Sequence, residues 1–141
     1  MVGLTEKYLT FTVDSRLFAV SIVNVREIMN NAAGITPVPE FPSYARGIIQ
    51  LRGDVIPIVD LRSLFGLSRN EQICVIVIEC RETGELVGLA CDSVSAVEDL
   101  EDADIHPAPS LIRGADYICG VTKTDKGIVL IMDPAKLVIE N

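Results

Sequence analysis

Residues Gly47 to Phe65 read GIIQLRGDVIPIVDLRSLF, and this stretch decides the fold. Two apolar runs, Ile48 to Leu51 and Val55 to Val59, flank Gly53-Asp54. A glycine and a polar residue between β-branched runs predict a tight β-hairpin. Strand alternation puts Ile49 and Leu51 on one face and Gln50 and Arg52 on the other, so Arg52 is expected to leave the core beside the turn. Asp60 stands where the strand ends and Leu61, Leu64 and Phe65 take up a helical spacing. There a carboxylate accepts free backbone N–H groups as an N-cap.

The same unit occurs twice. A shift of 73 residues, without a gap, lays Tyr44 on Tyr117, Gly47 on Gly120, Ile48 on Val121, Val55 on Ile128, Ile58 on Ile131, Asp60 on Asp133 and Leu64 on Leu137. Asp133 precedes Pro134, and proline suits the first helical position because its missing N–H costs nothing there. Caps are thus favoured over catalytic carboxylates for Asp60 and Asp133, since neither has an evident acidic partner for acid–base work. A shift of 69 relates the preceding segments, with Leu17 on Leu86, Val20 on Leu89, Val25 on Val94 and Ile28 on Val97. Pro37-x-Pro39 has its counterpart in Pro107-x-Pro109.

Each copy reads as strand, strand, short helical or bent segment, proline connector, hairpin and short helix. Lys7 to Val13 alternates and turns at Asp14-Ser15-Arg16 into Leu17 to Val20. From Ser21, the spacing of Ile22, Val25, Ile28 and Met29 predicts a short amphipathic helix or irregular turn exposing Arg26 and Glu27. Ile73 to Cys80 is apolar on both faces apart from Glu79, as a buried strand would be. The expected fold is mainly β, a small barrel or sandwich repeated twice, with short helices. The whole chain, 1–141, is then one domain with subdomains at 14–70 and 71–141, split at the polar linker Gly66 to Glu71. Residues 1–13 and a C-terminal helix at 133–141 are expected to pack across the halves. Cores of about 70 residues supply only about 3 to 5 kcal/mol each, so the halves are expected to fold together.

Composition excludes several function classes. The net charge of −8 is uneven: residues 1–70 carry seven basic and six acidic side chains, residues 71–141 five and fourteen. With no tryptophan and 5% aromatic residues, the chain lacks the basic surface and stacking rings of a nucleic-acid binder. Five of the acids fall in Glu98 to Asp104, EDLEDAD, read as a solvated turn rather than a site for a basic partner. No apolar run approaches the roughly 20 residues needed to cross a bilayer, and Met1 to Lys7 does not resemble a signal peptide. A cytoplasmic protein without membrane insertion is expected.

The four cysteines, Cys74, Cys80, Cys91 and Cys119, form no C-x-x-C pair. Cys74 and Cys80 share a strand face but lie about 20 Å apart, too far for one disulfide or metal, so the cysteines read as small buried hydrophobes. The single histidine, His106, precedes a proline that disfavours a helix. No phosphate-binding loop is present, and neither a zinc site nor a Cys–His nucleophile has the residues it needs. No enzyme activity, metal or cofactor is expected. Arg52-Gly53-Asp54 spells an adhesion tripeptide but reads as a hairpin tip. The second copy carries Thr124-Asp125-Lys126-Gly127 there, so the architecture does not demand Arg52, which is either a binding residue or an exposed arginine beside a turn.

Pro39 to Phe65, with Tyr44-x-x-Gly47, then Leu51-Arg52-Gly53, Pro57, and Asp60-Leu61-Arg62, resembles the CheW family of bacterial chemotaxis coupling proteins. The likeness extends to Phe18, to Val25-Arg26-Glu27-Ile28, to Val87-Gly88 through Asp92 and Val94, and to Met132-Asp133. The sequence departs at Gln50, where asparagine is more usual, and at Met29-Asn30. The resemblance implies a fold of two pseudo-symmetric, small, five-stranded SH3-like β-barrels packed together, and a non-enzymatic adaptor that couples the cytoplasmic tips of chemoreceptors to the regulatory domain of the histidine kinase CheA, recruited to membrane-associated receptor arrays. It places a receptor-binding groove at Val25, Glu27, Ile28 and Gly47, with Arg52 nearby, and assigns no kinase-binding residue. Glu27 and Arg52, of opposite charge, are expected to pair at the groove rim. The alternatives are a similar adaptor in another histidine-kinase pathway, such as surface motility, or a regulatory domain of a kinase.

Overall fold

The computed structural model describes residues 5–71, 73–108 and 115–137. Among them run β1 (Thr5–Val13), β2 (Arg16–Ser21), β3 (Val25–Met29), β4 (Ala45–Leu51), β5 (Asp54–Asp60), α1 (Leu61–Leu64), β6 (Cys74–Glu79), β7 (Leu86–Cys91), β8 (Ser93–Glu101), β9 (Ile118–Thr124) and β10 (Gly127–Met132). The central hairpin is β4–β5. Its turn falls one residue earlier than the pattern suggests: Leu51 pairs with Asp54, and Arg52 and Gly53 are the two central residues. Both have positive φ, 52° and 87°, the two-residue turn whose twist matches the flanking strands. Asp14 and Ser15 turn β1 into β2 in the same way, at φ 52° and 66°.

Two five-stranded sheets result, with orders β8-β1-β2-β10-β9 and β3-β6-β7-β5-β4. Adding five to each strand number in the first repeat, and subtracting five in the second, converts one order into the other. The copies therefore exchange strands: each sheet takes two strands from one copy and three from the other. The expected division at 14–70 and 71–141 does not follow the sheets, because β2 joins the second copy's strands and β6 and β7 join the first's. Alternation specifies which face of a strand is buried but not its partner, and two copies of one hairpin fit either sheet. β1 does lie between strands of both copies, β2 and β8. Of the expected C-terminal helix, Pro134–Lys136 forms a short 3₁₀ turn, and 138–141 lie outside the described residues, as does Pro109 of the second connector.

The repeat extends to its irregularities. The β3–β6 ladder skips Arg26 and the β1–β8 ladder skips Ser95, equivalent positions in the two copies. The β4–β5 and β9–β10 ladders likewise skip Arg46 and Cys119. Asp60 accepts the Ser63 N–H at 3.1 Å and Asp133 accepts the Ala135 N–H at 3.0 Å, so both are N-caps. Asp60 also carries an ion pair with Arg46 at 2.9 Å.

Each sheet curls around a small core of its own, Ile49, Ile56, Ile58, Val75 and Val77 in one and Tyr8, Ala19, Leu100, Val129 and Ile131 in the other. The largest core lies between them and draws Phe11, Phe18 and Val20 from one sheet and Ile76, Ile78 and Leu89 from the other. Phe18 stacks between Phe11 and Phe65, at centroid distances of 5.9 and 5.3 Å, and so ties the end of α1 to the opposite sheet. This shared core belongs to neither sheet alone.

Two further expectations are corrected. Of the short helix or irregular turn expected from Ser21, Ile22–Asn24 forms a 3₁₀ turn, whereas Val25 to Met29 is a strand, since its β-branched residues gain ladder bonds and a packing surface on β6. Glu98 to Glu101 lies in β8 and only Asp102–Asp104 forms a 3₁₀ turn, because β8 has β1 to pair with; Lys7 meets Asp99 at 3.0 Å. Cys80 and Cys91 are buried as expected, while Cys74 is half-buried and Cys119 exposed at its bulge.

Candidate partner-binding surfaces

The sheet β3-β6-β7-β5-β4 ends in β3 on one side and β4 on the other. Arg52, at the tip of β4–β5, reaches across and donates from Nη2 to Glu27 Oε1 at 3.4 Å, so the pair bridges the two edges of the curled sheet. The Arg52 side chain is 78% exposed and that of Glu27 27%. Under the pair lies an open depression of about 410 Å³ floored by Leu51, Ile56, Val77 and Leu86. Arg26 and Glu79, ion-paired to each other, close its other rim. Two ion pairs thus flank an apolar floor, and Asp54 lines it as well, without an ion pair among the described residues.

The five residues named from the sequence do not form one cluster. The bulge at Arg26 sets Val25 opposite Ile78, Glu27 opposite Val77 and Ile28 opposite Ile76. Ile76 and Ile78 face the shared core, whereas Val77 faces the core of its own sheet. Val25 and Ile28 therefore occupy the face toward the other sheet, where Val25 packs on the shared core and Ile28 stays partly exposed. Glu27 points the other way, toward Arg52. Gly47 answers to the backbone: its φ is +142°, and a Cβ there would lie 2.2 Å from the Thr36 carbonyl oxygen. Its neighbour Ile48 exchanges both backbone hydrogen bonds with Thr36.

The other sheet repeats the edge-to-edge device. Lys126, at the tip of β9–β10, meets Glu98 on β8 at 3.4 Å. A second open surface of about 430 Å³ lies beside it, where Leu17, Ile128 and Leu130 are bordered by Arg16 and Lys126. Ile128 is 62% exposed, and its counterpart in the other copy, Val55, is 56% exposed. Sequence reading assigned neither to a site. The signal was present, since both are β-branched apolar residues at outward positions of the hairpin in both copies. Val77 and Leu86 carried no such signal, because tertiary folding alone brings them beneath Arg52.

No cluster of three or more histidine, cysteine or acidic side chains able to hold a metal occurs among the described residues. Two titration effects have structural causes. The Arg62 guanidinium forks onto Asp92 at 2.7 and 2.8 Å and holds that carboxyl below its usual range, tying α1 to the β7–β8 junction. Burial, and then Glu6, push the Tyr8 hydroxyl up to about 12.

A duplicated, strand-exchanged pair of small β-barrels with shallow, charge-rimmed apolar surfaces defines a binding platform. The chain belongs to the CheW-like domain family, whose model matches residues 7–140. It is 36% identical over 107 residues to the chemotaxis protein CheW of Rhizobium meliloti, covering 75% of this chain and 68% of that protein. It is 30% identical over 137 residues to CheW of Klebsiella aerogenes, covering 94% and 81%. Protein FrzA of Myxococcus xanthus is 32% identical over 127 residues, covering 84% and 74%. The crystal structure of the scaffolding protein TtCheW from Thermoanaerobacter tengcongensis matches with a TM-score of 0.81 at 29% identity, covering 92% of this chain and 90% of that one. No helix among the described residues is long and apolar enough to cross a membrane.

Proposed function

We propose that this chain is a non-enzymatic scaffold that couples the cytoplasmic tips of chemoreceptors to the regulatory domain of the histidine kinase CheA, in the cytoplasm beneath receptor arrays. The observation that carries the reading is the family match over residues 7–140. Two separated apolar surfaces on one body with a shared core support it. The receptor's helical tip docks along the β3 edge, where Val25 and Ile28 present one face and the Glu27–Arg52 pair stands on the other, a helix-in-groove mode. The kinase domain takes the surface around Leu17, Ile128 and Leu130. Calorimetry with a purified receptor tip and a kinase regulatory domain tests this. Binding of both at once is expected, with Arg52→Ala weakening the receptor arm alone and Ile128→Asp the kinase arm alone. Binding of neither by folded protein overturns the reading. The likeness to FrzA favours one variant, the same scaffold in another histidine-kinase pathway; it gains if a kinase and receptor from such a pathway bind and the chemotaxis pair does not.

A further inference from the structure

The β6–β7 ladder sets Cys74 directly opposite Cys91, with no register shift between these strands. At the far end of the ladder the Cys80 N–H donates to the Glu85 carbonyl at 2.9 Å. Hydrogen-bonded pairs recur every second residue, so Cys74–Cys91 is one as well, with Cα atoms about 5.5 Å apart. That falls within the span of about 4.4 to 6.8 Å that a disulfide bridges. Opposed residues project to the same face, and both thiols pack against the shared core. Their burial differs: Cys74 is half-buried at the start of β6, its thiol on Asn30 Oδ1 at 3.6 Å, while Cys91 is 1% exposed. Burial, and then the adjacent Cys74, push the Cys91 thiol well above its ordinary range.

We propose that Cys74 and Cys91 are an oxidisable thiol pair that closes into a cross-strand disulfide when the protein meets hydrogen peroxide. The accessible Cys74, as thiolate, attacks one peroxide oxygen and breaks the O–O bond; the departing hydroxide takes up the proton lost from Cys74 and leaves as water, and Cys74 becomes a sulfenic acid. Cys91 then attacks the Cys74 sulfur, its proton leaves with the hydroxyl as a second water, and the S–S bond forms. Two thiols lose two electrons to one peroxide. Cβ atoms of directly opposed strand residues lie about 4.5 to 5.5 Å apart, wider than the roughly 3.5 to 4.5 Å of an unstrained disulfide. The bond is therefore readily reduced, as strained disulfides are, and the pair works reversibly.

The test treats the folded chain with one equivalent of hydrogen peroxide, alkylates it in denaturant, and maps non-reduced tryptic peptides. Arg81 places Cys74 and Cys80 on one peptide and Cys91 on the next. The expected result is a cross-link between those peptides that survives Cys80→Ala, is abolished by Cys74→Ser and by Cys91→Ala, and disappears with glutathione. Exposed Cys119 is expected to stay out of the link and serves as the solitary-thiol control. Recovery of Cys74 and Cys91 as separate alkylated or over-oxidised residues in the wild-type chain overturns the proposal. A link from Cys74 to Cys119 of a second molecule overturns it too.

Discussion

Asp60 and Asp133 occupy one place in two copies of one unit, and replacing each with alanine separates a helix cap from an ion pair. Both carboxylates accept an N–H from the turn they open, at 3.1 and 3.0 Å. Loss of such a cap costs about 1 kcal/mol. Asp60, 2% exposed, also pairs with Arg46 at 2.9 Å and lies 3.9 Å from Arg69. Asp133 has no ion pair among the described residues. The Arg46 side chain is mostly buried, so stranding it falls between the ~1 kcal/mol of an exposed pair and the ~4 kcal/mol of a fully buried one, at about 2 kcal/mol. Asp60→Ala is thus expected to cost about 3 kcal/mol and Asp133→Ala about 1 kcal/mol, or roughly 12 °C and 4 °C in Tm for a chain of this size. Urea unfolding of both variants measures the difference, and a double-mutant cycle of Asp60→Ala with Arg46→Ala should return a coupling of about 2 kcal/mol. Equal losses for the two variants, or no coupling to Arg46, would refute the reasoning.

Gly47→Ala drives a Cβ into the Thr36 carbonyl at a positive φ and is expected to cost about 3 kcal/mol. Gly120→Ala meets only the movable Cγ2 of Ile105 within 3 Å and should cost about 1 kcal/mol by thermal melt. Any loss of receptor binding in Gly47→Ala would then track unfolding. Alanine at Glu27 or Arg52 is expected to change stability by less than about 0.5 kcal/mol, because an ion pair with so exposed an arginine is screened; a larger change in urea midpoint would make the pair structural. Asp92 has its pKa lowered by Arg62. Its folded value lies below the unfolded one, so its contribution is full above about pH 4 and is lost as pH falls through the folded value. Arg62→Gln should flatten that acid limb of the stability profile, and an unchanged slope would remove the pair from the account.

The hairpins, both caps and the duplication were legible because each depends on a few neighbouring residues: Arg52-Gly53 between β-branched runs, Asp60 before Leu61, Asp133 before Pro134. Val25 to Met29 was read as a short helix or irregular turn and not as a strand because the bulge at Arg26 breaks the period of two and sets Val25 and Ile28 on one face, as a helix turn would. Strand partners were not legible, since nothing local to β1 or β6 tells which copy's β10 or β5 its hairpin joins. The same gap hid the facing of Cys74 and Cys91, 17 residues apart in sequence and opposite one another in the ladder. Of the site, the Glu27–Arg52 pair was legible from opposite charges on two elements of the family resemblance, whereas half of its apolar floor, Val77 and Leu86, arrives from β6 and β7.

Strand exchange also gives the proposed scaffold a way to hold two different partners in fixed relation. The repeat supplies equivalent platforms, a hairpin tip beside an exposed β-branched residue, at Val55 in one sheet and Ile128 in the other. What differs is the sign of charge at matching positions: Arg52 answers to Asp125, and Arg16 to Glu85. Strand exchange sets Arg52 and Glu85 on one sheet and Asp125 and Arg16 on the other, so the platforms carry opposite charges at equivalent positions and select different surfaces while sharing a backbone geometry. Because each sheet borrows two strands from the opposite copy and the largest core lies between them, neither platform can turn without disturbing the other's packing. A ligand held at one edge is thereby positioned relative to a ligand held at the other, which is the property a scaffold requires.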